Sequence, residues 1–149
     1  MSQVARRYHE RGLKALATGD LEGALEALRS AVELAPAFGS ARIAYAIALA
    51  RYGDAPRAAT LLRGGIPRAS SPVAAAAMWA TLGDVLTVGG DFFAAEEAFR
   101  EAGRVPGYEA RAAAGLARVY ARLQRFPEMS TQLRLAAKIS GDAERAGRG

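Results

Sequence analysis

Large apolar residues return at matching places along the chain. Leu28, Leu62, Phe99 and Leu133 form one column and Leu21, Ala55, Phe92 and Phe126 a second, both with successive separations of 34, 37 and 34 residues. Within each period the two columns stand seven residues apart, two turns of an α-helix, so they mark one buried stripe of a recurring helix. Three Gly-Asp pairs follow the same spacing, Gly19-Asp20, Gly53-Asp54 and Gly90-Asp91, with Gln124-Arg125 in the fourth place. Glycine supplies the left-handed residue that ends a helix, and aspartate caps the next one. The fourth turn lacks both, but Pro127 sits where a first-turn proline is tolerated. The pattern predicts helix-turn-helix units over 5–38, 39–72, 76–109 and 110–140. The three extra residues, Val73 to Ala75, lengthen the third unit's first helix, with Ser71 as its cap and Pro72 as its first residue.

Two helices that cross closely need small side chains where their backbones meet. Three columns fit that need. They read Gly12, Ala46, Gly83, Ala117 on the first helices, then Ala24, Ala58, Ala95, Met129 and Ala31, Gly65, Ala102, Ala136 on the second. Only Met129 is large, so the register follows from packing as well as from punctuation.

With these positions in place the chain resembles the tetratricopeptide repeat family. The third repeat carries Trp79, Leu82, Gly83, Leu86, Gly90, Asp91, Ala95, Phe99 and Ala102 at the family's positions, and the first carries Tyr8, Gly12, Gly19, Asp20, Ala24, Leu28, Ala31 and Pro36. The second and fourth depart from it, with Arg42 and Ala113 at the place held by Tyr8 and Trp79. The resemblance implies an all-α, right-handed α-solenoid of about four repeats, with the first helices lining a concave face. One branch of the family grips chaperone tails with lysines, asparagines and an arginine; here those positions hold His9, Leu13, Ala44, Ala77 and Thr81, which argues against that role. The segment from Gly141 has no apolar stripe and is expected to be a disordered tail.

Carried over by position, the groove shows Arg6, His9, Leu13, Leu16, Ile43, Ala44 and Ile47 at one end. Ala77, Ala80, Thr81, Asp84 and Thr87 follow in the middle, and Arg111, Ala114, Arg118 and Arg122 at the far end. Leu13, Ile43 and Ile47 are either an apolar docking patch or ordinary core beneath neighbouring helices. With Asp84, Arg111, Arg118 and Arg122 they form the candidate site for a partner, an apolar and acidic peptide or helix of another protein. Arg111, Arg118, Arg122 and Arg125 follow spacings of seven, four and three and are expected on one face of the fourth repeat's first helix, with Asp84 partly neutralising Arg118 and leaving Arg111 and Arg122 the more available.

Charge sharpens this picture. The formal net charge is +5, and residues 1–99 hold ten basic and ten acidic side chains while residues 100–149 hold ten against five. An electrostatic partner should meet the C-terminal third, which keeps binding of RNA or another polyanion as the alternative function. Against it, the aromatic residues fall mostly at core positions. There is no cysteine, which removes disulfides and thiolate sites and suits a reducing compartment. His9 is the lone histidine, and neither a phosphate-binding glycine loop nor a paired-carboxylate site is present, so no catalytic residue, metal or cofactor is expected. The charged first fourteen residues lack a secretory apolar core and no run is long enough to span a bilayer, so a cytoplasmic location is expected, with self-association left open.

Overall fold

The computed structural model describes residues 2–148, and all of its regular structure is helical. Eight α-helices run in order: α1 (Gln3–Thr18), α2 (Leu21–Leu34), α3 (Gly39–Arg51), α4 (Ala55–Gly65), α5 (Pro72–Val88), α6 (Phe92–Gly103), α7 (Glu109–Arg122) and α8 (Phe126–Gly147). A single 3-10 turn, Ile66–Arg68, lies between α4 and α5.

The hairpin turns follow from the residues that break them. Gly19, Gly53 and Gly90 have φ of 81°, 102° and 83°, and Asp20, Asp54 and Asp91 cap the following helices by accepting from the backbone N–H of Gly23, Arg57 and Ala94. At the fourth turn Gln124 takes the left-handed place, with φ of 59°, and Arg125 makes no side-chain cap. Ser71 caps α5, accepting from Ala74 N at 3.0 Å, and Pro72 opens that helix.

Each helix packs on the next, and the first helices of adjoining hairpins also touch, α1 with α3, α3 with α5 and α5 with α7. The second helices do not touch one another, so the stack curves with α1, α3, α5 and α7 on its inner side. The core runs along the axis of this all-α solenoid. Leu28, Leu62 and Phe99 are wholly buried, as are Ala24, Ala31, Ala46, Ala58, Ala95 and Ala102 from the small-residue columns. Trp79 is half-buried and packs against this core from its edge.

Three expectations are corrected. Phe126 and Leu133, read as core, are 54% and 50% exposed, because among the described residues no helix lies on the outer side of α8, and no residue of α8 is buried. The segment from Gly141, read as a disordered tail, is helical to Gly147; Ala143, Glu144 and Ala146 favour helix and Asp142 pairs with Arg145 one turn on. Arg125 lies beyond the end of α7, at the cap of α8, so it does not share a face of α7 with Arg111, Arg118 and Arg122.

Candidate functional site

The inner side of the curve carries three depressions that share walls. The first is lined by His9, Leu13 and Leu16 of α1 and Ile43, Ile47 and Arg51 of α3. The second begins at Ile47 and Arg51 and reaches Thr81, Asp84 and Val88 of α5 and Arg111 of α7. The third begins at Asp84 and Val88 and ends at Arg118 and Arg122. Together they make one trough along the first helices, because the i, i+4 spacing of Ile43, Ile47 and Arg51, and of Asp84 and Val88, holds each set on one helix face.

The trough changes character along its length. Leu13 is exposed, while Ile43 and Ile47 are half-buried, Ile43 with part of its side chain packed on the core. His9 stands beside this end with its ring edge-on to Phe38 at 4.7 Å, and burial pulls its pKa below the ordinary histidine value. Val88, at the middle, is exposed.

The polar end is organised by Asp84. Its carboxylate accepts from both Arg111 and Arg118, the second at 2.8 Å, so two arginines of α7 are tied to one acid of α5. Arg111 is therefore held as well as Arg118, which corrects the expectation that it stays available. Arg122 has no carboxylate partner among the described residues and lies over the ring of Phe92, 5.3 Å from its centroid. Arg51 is likewise outside the ion pairs, and is exposed.

Several residues assigned to the groove by position lie elsewhere or show little. Ala44, Ala80, Thr81 and Thr87 are buried, and the two threonine hydroxyls donate to Ala77 O and Gly83 O within their own helix. Arg6, Ala77 and Ala114 line none of the three depressions. Sequence reasoning missed Arg51 and Val88, although each stands one helical turn beyond a residue already placed in the groove.

Most basic side chains of the C-terminal third are already engaged in ion pairs. Arg100, Arg104, Arg111, Arg118, Arg125 and Arg145 are in ion pairs, six of the ten basic side chains between 100 and 149. Burial pushes Glu96 up, but bonds from Arg100 and Tyr120 outweigh it and hold that carboxyl below its usual range. Among the described residues no group of acidic or imidazole side chains is placed to hold a metal ion, and no helix is long and apolar enough to cross a membrane.

A family model described as tetratricopeptide repeat matches residues 15–80. No curated protein matches the sequence. Among solved structures, a crystal structure of MamA protein superposes with a TM-score of 0.74 at 18% identity, over 95% of this chain and 75% of that one. A MamA double mutant gives 0.73 at 20%, over 93% and 76%. A mutant of the Thermobaculum terrenum O-GlcNAc transferase gives 0.68 at 20%, over 80% of this chain and 23% of its own length. These likenesses are of fold. The family model covers less than half of the chain; with the repeat register, the capped hairpins and the inner curve of first helices, residues 15–80 match the tetratricopeptide repeat within an all-α solenoid of that fold.

Proposed function

We propose that the protein is a non-enzymatic interaction scaffold that takes an amphipathic helix or extended peptide of another protein in its inner trough. The observation that carries this reading is the continuity of the trough, from exposed or half-exposed leucine and isoleucine at one end to arginine at the other. Apolar anchors of the partner would lie over Leu13, Ile43 and Ile47, and its acidic residues would reach Arg122, Arg118 and Arg51. Guanidinium suits this task because its flat fork pairs with a carboxylate through two bonds. Arg122 is the strongest candidate contact, being unpaired and held in place by Phe92. Arg118 and Arg111 would set the charge of this end, since one carboxylate, Asp84, balances only one of the two.

The test is a pair of charges set into the apolar end. Ile43→Glu with Ile47→Glu should abolish capture of the native partner while leaving far-UV helicity unchanged, because both side chains already face solvent in part. Loss of the helical signal would instead show that these residues serve the core, and unchanged capture would show that the trough is not the site.

A further inference from the structure

We propose that two copies of this chain pair through α8, antiparallel about a two-fold axis, with Leu133 of each copy seated on Ala137 of the other. The chain itself shows what such a surface receives. In the first three repeats the second helix is covered by the next repeat's first helix; Leu28, Leu62 and Phe99 are wholly buried, Phe99 against Gly115 of the next repeat as well as Gly83 of its own. Leu133 is their counterpart in α8 and is half exposed. The stripe around it, Phe126, Met129, Ser130, Leu133, Ala137 and Ser140, contains no ionisable side chain. Arg134 and Lys138 lie a quarter turn or more round the helix.

The stripe also has the form of a surface that fits itself. At the interface of α6 with α7, Phe99 sits against Gly115 while Gly103 faces Ala112, large against small and small against small. In α8 the counterparts of Phe99 and Gly103 are Leu133 and Ala137, so one helix holds both a projection and a flat place one turn apart. An antiparallel two-fold brings each projection onto the other copy's flat place, the self-complementarity that a two-fold contact requires. The same register sets Ser130 against Ser140 and brings Glu144 of each copy toward the Arg125 end of the other, where Arg125 already pairs with Glu128 of its own chain.

Head-to-tail stacking is ruled out by the other end of the molecule. At the places where α7 buries Ala112, Leu116 and Val119 against α6, α1 carries Arg7, Arg11 and Lys14, all exposed. Setting those charges on an uncharged stripe would strip their water without pairing them. The α8 face and the trough are separate surfaces, so this pairing does not depend on the scaffold reading.

Sedimentation and light scattering of the full chain test the proposal. The expected result is a concentration-dependent species of twice the 15.6 kDa monomer. Leu133→Glu and Ala137→Glu should each return the chain to monomer with helicity unchanged; Ala137 is small and exposed, so its variant guards against a mere loss of folding in the first. The chain has no cysteine, so disulfides report register directly. On mixing Leu133→Cys with Ala137→Cys and oxidising, the unlike pair should cross-link in preference to either like pair. A wild type that stays monomeric at about 100 μM, well above the Kd of a modest dimer, would overturn the proposal. So would a dimer untouched by both glutamates, or preferential cross-linking of like variants.

Discussion

Phe99 shows how one residue sets terms for two helices. Its ring lies between Gly83 of its own repeat and Gly115 of the next; a methyl group built at Gly83 would be 2.6 Å from Cε1, and one at Gly115 closer still. Other repeats hold leucine in this column and set alanine or threonine, Ala44 and Thr81, where α7 has Gly115. The small columns were legible because they repeat. Gly115 was not, since it is needed only where phenylalanine replaces leucine. Gly115→Ala is expected to cost about 1–3 kcal/mol, and Phe99→Leu in the same chain to recover part of that cost. Urea melts followed by the fluorescence of Trp79, the chain's lone tryptophan, measure both. Ala95→Leu, at a wholly buried position, should cost a similar ~1–3 kcal/mol. Arg42 was legible only as an oddity in the aromatic column. It is 8% exposed, with its guanidinium donating to Leu61 O and Pro36 O and its stem filling the space beside Gly65 and Met78, so an arginine occupies an aromatic's volume by ending on backbone carbonyls.

At the scale of elements, the four hairpins differ in how their turns are made. Glycine takes the left-handed conformation without strain, and glutamine does not. Gln124→Gly is therefore expected to stabilise the protein by roughly 0.5–1 kcal/mol, whereas Gly90→Ala should destabilise it by about 1–2 kcal/mol. Thermal melts of the two variants should move in opposite directions from the parent. Helix positions and turns could be read from the chain because periodicity and punctuation agree. The reach of α8 could not, because glycine at 141 reads as a break while the pairing of Asp142 with Arg145 becomes visible only once the helix exists.

At the scale of the whole molecule, the charge total and its lean toward the C-terminal third were legible, but only part of its pairing was. The pairing of Asp84 with Arg118, 34 positions and one repeat apart, could be read from the register, whereas that with Arg111, 27 positions apart, could not. Arg118→Glu with Arg122→Glu is expected to slow partner association several-fold, with added salt having the same effect on the parent. Surface plasmon resonance at two ionic strengths checks this; rates indifferent to both changes would remove the basic end from the site.

A stack in which each hairpin is held mainly by its neighbours loses stability from whichever end is least supported. Since no side chain of α8 is fully buried, the last repeat should open as a unit before the middle ones do. Hydrogen exchange is expected to be fastest along α8 beyond Met129 and slowest in α5 and α6, with Trp79 reporting a later transition than the total helical signal. If the chain pairs through α8, this order is not fixed by the fold alone: protection of the last helix then rises with protein concentration, and the same molecule melts from its end when dilute but as a single cooperative body when crowded with its own copies.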